Sequence, residues 1–120
     1  KRFEYSTSPI ALAAALECCI RDLTLRYGVE AIRNEIMRLQ DVFLGALDGA
    51  RVRPLFAPEV QRSSILSLIV PGDVNALRRA LLKQNIITTE RGGYLRVAPH
   101  FYNTDEEMER TARLLRELVQ

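Results

Sequence analysis

Three groups of residues in this 120-residue sequence have side chains and spacing suited to chemistry. The first is Arg96, within LRVAPHFYNT, residues 95–104. Residues 94–98 read as a strand, and side chains alternate across a strand. Leu95 and Val97 therefore point to one side and Arg96 to the other. A rigid strand that carries a planar, permanently charged fork makes a good carboxylate receptor. The same residue also reads as a solvated strand-face arginine or one half of a structural salt bridge. The second group is Ser6 and Thr7, just ahead of a helix start. Free backbone N–H groups at such a place favour phosphate, and the same stretch also reads as ordinary helix capping. The third is His100, the only imidazole. It reads first as a hydrogen-bonded histidine at a strand end.

Other chemistries find little support. Cys18 and Cys19 are adjacent, and disulfide geometry disfavours a bridge between neighbours. Without a Cys-x-x-Cys or Cys/His spacing, no metal site is expected. Unbridged thiols fit a reducing compartment, so a cytoplasmic location is expected. The sequence contains no nucleophile elbow, phosphate-binding loop or glycine-rich dinucleotide turn. A net charge of +2, with arginines interleaved among acids, gives no concentrated basic face, so no nucleic-acid partner is expected. No apolar run approaches the ~18 residues of a membrane span, and no signal peptide is evident. The opening Lys1-Arg2-Phe3, without a methionine, is expected of a piece of a longer polypeptide.

The elements that must position these residues follow from periodicity. A hydrophobic fraction of 48% in 120 residues supports one domain with a real core. Ser8-Pro9 starts a helix, with Ser as cap and Pro in the first turn. Leu12, Leu16, Cys19, Ile20 and Leu23 give it an apolar stripe, and Gly28 ends it. Ile32, Ile36, Leu39, Phe43 and Leu47 mark a second helix that stops at Gly49. Residues 51–56 read as an edge strand, because Pro54 cannot donate to a central ladder. Residues 63–70, SSILSLIV, read as a buried strand closed by Pro71-Gly72. Asp73 caps a helix to about Gln84, with Val74, Leu77 and Leu81 inward and Asn85 as its stop. Residues 86–89 and 94–98 form a hairpin around Gly92-Gly93. Thr104 and Glu107 make a capping box for a last helix that buries Met108, Ala112, Leu115 and Val119. Glu106–Arg110 and Glu109–Arg113 are spaced as i,i+4 ion pairs. The expected fold is α/β of the α+β kind: a helical hairpin plus a small, mainly antiparallel sheet covered by helices.

The two ends of the sequence together carry a resemblance. Arg2-Phe3-Glu4-x-Ser6-Thr7, Gly28-Val29-Glu30-x-Ile32, Arg62 before the strand, and Leu95-Arg96-Val97-Ala98-x-His100-x-Tyr102-Asn103-Thr104-x-Glu106-Glu107 resemble the C-terminal part of class V aminotransferase-fold enzymes. These are pyridoxal-phosphate (PLP) enzymes of fold type I. The resemblance covers essentially the whole chain. It implies that residues 1–7 are the tail of a PLP-binding large domain, 8–27 an interdomain helix, and 28–120 the small C-terminal domain. It implies a substrate-carboxylate role for Arg96 and a contact of Thr7, with Ser6, to the cofactor phosphate of a neighbouring subunit. The family usually has Gly where Ser6 stands. Tyr102, Asn103 and Thr104 match the structural turn before the last helix. The family's Schiff-base lysine lies upstream, and neither Lys1 nor Lys83 has its sequence context. The resemblance thus implies one wall of an active site, inactive alone, with PLP as cofactor, an amino acid as substrate, the large domain as partner and a homodimer as assembly. With no Cys ahead of Arg96, a cysteine desulfurase is disfavoured. The competing expectation is a non-enzymatic, ferredoxin-like binding or oligomerisation module in which Arg96 is structural.

Overall fold

The computed structural model describes residues 9–55 and 62–119. The fold is α+β, a small antiparallel sheet with helices, as the element pattern predicts. The chain divides into two compact units, Lys1–Ile32 and Arg33–Gln120.

The first unit carries α1 (Ile10–Cys19) and a π-helical segment (Ile20–Leu25). Pro9 occupies the cap position without a side-chain hydrogen bond, and its carbonyl accepts from Ala13 N–H at 3.0 Å. The expected cap, Ser8, lies outside the described residues. Gly28, at φ +84°, closes this segment in the left-handed region where glycine has no Cβ penalty. One expectation needs correcting. The stripe of Leu12, Leu16, Cys19, Ile20 and Leu23 does not bury, and neither segment holds a buried residue. Ala11 and Ala13–15 occupy the remaining faces of the helix, so it is apolar nearly all round and not amphipathic. Cys18 and Cys19 are exposed free thiols.

Helix α2 (Val29–Ala46) runs into the second unit. There it buries Ile36, Leu39, Gln40 and Phe43, with Leu47 just beyond its end. The sheet follows in the order β1-β2-β4-β3, all pairs antiparallel. Strand β1 (Arg53–Pro54) is short and at the edge, where the missing N–H of Pro54 does no harm. Strand β2 (Leu66–Ile69) buries Leu66 and Leu68 but leaves Ser67 and Ile69 half-buried, so only one of its faces is covered.

Helix α3 (Val74–Lys83) is capped by Asp73, whose Oδ1 accepts from Asn75 N–H at 2.8 Å. It ends at Asn85, which adopts φ +60°. Asn85 N–H bonds Leu82 O and Ile86 N–H bonds Leu81 O, both at 3.0 Å, which is a Schellman closure with Asn in the place of Gly. That closure corrects the expected strand at residues 86–89. Ile86 has spent its N–H on the helix, and the ladder begins only at β3 (Thr89–Arg91). Gly92 and Gly93, at φ +63° and +82°, make a two-residue turn into β4 (Tyr94–Val97), with Arg91 opposite Tyr94.

The last helix, α4 (Asp105–Leu118), starts at the expected capping box: Thr104 Oγ1 accepts from Glu107 N–H, and Glu107 reaches back to Thr104 N–H. Met108, Ala112 and Leu115 are buried, with Val119 just after the helix. The two expected i,i+4 pairs on α4 do not close among the described residues; Arg110 instead donates to Gln84 O at 3.0 Å. Side chains of α2, α3 and α4 join one core cluster with Leu66, Leu68, Leu95 and Val97. All three helices therefore cover the same face of the sheet. No helix among the described residues is long and apolar enough to cross a membrane.

Candidate functional site

Arg96 lies on β4, a central strand of the sheet. Leu95 and Val97 are buried under the helices, at 0% and 6% exposure, so Arg96 is committed to the opposite face. It is half-buried there, with Ser67 of β2 directly opposite on one side and Thr89 of β3 on the other. Both neighbours are small hydroxyls that leave the guanidinium room. The next row along the same face runs Arg53, Ile69, Tyr94, Arg91. No strand residue on this face is acidic. Among the described residues, Arg53, Arg91 and Arg96 form no ion pair. Glu90, the acid of β3, belongs to the other face and spends Oε1 on Gly93 N–H at 2.8 Å. Chemically, this face is a cationic surface with its centre on the most constrained arginine.

The segment after β4 is built as a scaffold. His100 N–H donates to Asn103 Oδ1 at 2.8 Å, and Asn103 Nδ2 donates to Glu107 Oε2 at 2.9 Å. Those contacts, Asn103 first and the Thr104 N–H second, hold the Glu107 carboxyl below its ordinary range. The His100 ring stacks on Tyr102, with centroids 4.9 Å apart. Its Nδ1 is buried without a hydrogen-bond partner among the described residues. Tyr102, Asn103 and Thr104 form the structural turn expected of them.

The two remaining sequence-derived site residues, Ser6 and Thr7, lie outside the described residues. Lys83, the one lysine among those described, is exposed in the last turn of α3, a position that suits a cation at a helix C-terminus. The described residues contain no group of three or more His, Cys, Asp or Glu placed to hold a metal.

Other polar features are structural. Arg38 of α2 grips Glu35 at 2.7 Å and Asp105 of α4 at 2.6 Å, tying the start of the last helix to the core helix. This shared guanidinium lowers both carboxyl pKa values and raises its own. Arg62 donates to Asp41. Gln40, fully buried, donates Nε2 to Ser63 O at 2.8 Å and anchors the approach to β2. A cleft of about 410 Å³ opens between residues 85–88, residues 97–99 and α4, and Thr88 and Arg110 are among the residues that line it. Arg96 does not line this cleft.

Sequence reasoning missed Arg91 as a neighbour of Arg96 and Arg53 as a second arginine on the same face. For Arg91 the signal was present: a two-residue Gly92-Gly93 turn fixes Thr89 opposite Arg96, which puts Arg91 on the same face. Arg53 reaches the face only through the β1–β2 pairing, which no local pattern specifies. No protein-family model matches the chain, and no curated protein matches it.

Proposed function

We propose that this chain is the small C-terminal domain of a PLP-dependent, class V aminotransferase-like enzyme acting on an amino acid, and that Arg96 binds the substrate carboxylate. The single observation that carries the proposal is Arg96 itself: a half-buried guanidinium at the centre of the sheet, on the face away from the helices, without an acidic partner among the described residues. A structural salt bridge would need a carboxylate, and the described residues supply none to Arg96. The likeness of the segments at residues 2–7 and 95–107 to that enzyme family supports the same role.

PLP, when bound, supplies an electron sink for bonds at the amino-acid Cα. This chain's part is orientation. Two parallel N–H donors from Arg96 fix the plane of a carboxylate, and the stiffness of a central strand fixes its position. Such a charge-assisted contact contributes about 1.5–3 kcal/mol. The cofactor's anchoring lysine belongs to the large domain of the same polypeptide, and Thr7 with Ser6 is proposed to reach the phosphate in a homodimer. The apolar circumference of the first helix, with Leu12 69% and Leu16 60% exposed, supports burial against that larger assembly. Exposed free Cys18 and Cys19 support a reducing, cytoplasmic setting.

The test uses the full polypeptide that carries this chain, with Arg96→Ala. The expected result is a loss in kcat/KM for its amino-acid substrates. Values of kcat and KM near wild type for every amino acid tried would show that the carboxylate role is wrong. A coding sequence without an upstream lysine-bearing domain would remove the enzyme reading and leave the binding-module alternative.

A further inference from the structure

Arg96 is not the only cation on its face without an ion pair among the described residues. Strand register places Arg91 one row along and one strand over, a diagonal neighbour across the β3–β4 pair. Diagonal pairs of this kind lie about 7–8 Å apart at their bases, within mutual reach of long side chains. The residues between and beside them are Thr89, Tyr94 and Ser67, which hydrogen-bond but carry no negative charge. The nearest carboxylate in the sequence, Glu90, is held by the turn on the other face. Like charges side by side are unfavourable, and an anion that spans both relieves that repulsion while it satisfies both forks. One carboxylate needs only one guanidinium; a second, at a fixed register, calls for a second anionic group.

We infer that this face takes a dianion, with one carboxylate on Arg96 and a second anionic group on Arg91. The substrate class is therefore an amino acid with an acidic side chain. This rests on the reading of Arg96 as the carboxylate receptor and adds Arg91 as the residue that selects among amino acids. Arg53, two strands from β4, is too far along the row to share the same small ligand and serves as the control.

The test is equilibrium dialysis of labelled succinate and of labelled acetate against the full polypeptide at low ionic strength. Wild type is compared with Arg91→Gln, Arg91→Lys, Arg96→Gln and Arg53→Gln. Wild type should bind succinate at least tenfold more tightly than acetate. Arg91→Gln should remove that preference by weakening succinate far more than acetate, Arg91→Lys should retain part of it, and Arg53→Gln should keep the wild-type preference. Arg96→Gln should weaken both ligands. Equal affinity for the two ligands in wild type, a preference that survives Arg91→Gln, or one lost equally with Arg53→Gln overturns the dianion inference alone. Acetate binding that is absent, or indifferent to Arg96→Gln, overturns the carboxylate reading beneath it.

Discussion

Leu95 and Arg96 are neighbours on one short strand, yet the structure gives them opposite jobs. Leu95 is completely buried in the core cluster, whereas Arg96 stands on the other face and forms no ion pair among the described residues. Truncation of a buried leucine to alanine costs about 2–5 kcal/mol, because the core loses both transfer free energy and contacts around the cavity. In a domain of this size each kcal/mol shifts Tm by about 4–8 °C, so Leu95→Ala should lower Tm by about 10 °C or more. Arg96 is outside the core cluster, and Arg96→Ala removes no ion pair formed among the described residues. Its effect should stay within about 0.5 kcal/mol, a shift of a few degrees at most. Thermal unfolding followed by circular dichroism reads both variants against wild type. Comparable destabilisation by the two would refute the reasoning, because Arg96 would then be holding the fold together and not waiting for a ligand.

Acid should unfold the domain through its carboxylates. Glu35 and Asp105, both held down by Arg38, and Glu107, held down by Asn103, have folded pKa values below the ordinary 4.5 of Glu and 3.8 of Asp. The unfolded chain therefore takes up these protons more readily. The stability they contribute is fully present above about pH 5 and is lost as pH falls through and below the ordinary carboxylate range. Arg38→Gln should flatten the Tm–pH profile, and an unchanged slope would contradict the assignment. Asn85 sits at φ +60°, so Asn85→Ala should cost about 1 kcal/mol in urea unfolding, while Asn85→Gly should be neutral or slightly stabilising. An equal loss for both would mean that backbone strain is not what the residue manages.

Much of the fold was legible where the chemistry is local. Thr104 and Glu107 announce their capping box by spacing alone, Asp73 its cap, and Gly92-Gly93 a turn that needs two positive φ values. The alternation across residues 94–97 places Leu95 and Arg96 on opposite faces before any coordinates are known. The misreadings have physical causes of their own. At Ile86 and Ile87, β-branched residues suggested a strand, but a helix closure at Asn85 had a prior claim on the backbone donor of Ile86. In the first helix, leucines at helical spacing suggested a stripe, but the alanines between them are equally apolar, so the pattern names no inward side. The long-range tie of Arg38 to Asp105, across 67 residues, has no local signature. For the candidate site, Arg96 could be singled out from its strand, but that it forms no ion pair among the described residues is a three-dimensional fact. That feature is what supports the proposed carboxylate role.

Arg96 is proposed to receive the carboxylate of an amino acid brought to a PLP enzyme's active site. The most direct measurement is a titration of the purified full polypeptide with its amino-acid substrate, followed by the absorption of its bound cofactor, in wild type and Arg96→Gln. A contact of about 1.5–3 kcal/mol corresponds to a rise of about 10- to 150-fold in half-saturating concentration, with cofactor content unchanged. A half-saturating concentration that does not move, or a full polypeptide that binds no PLP, would contradict the account.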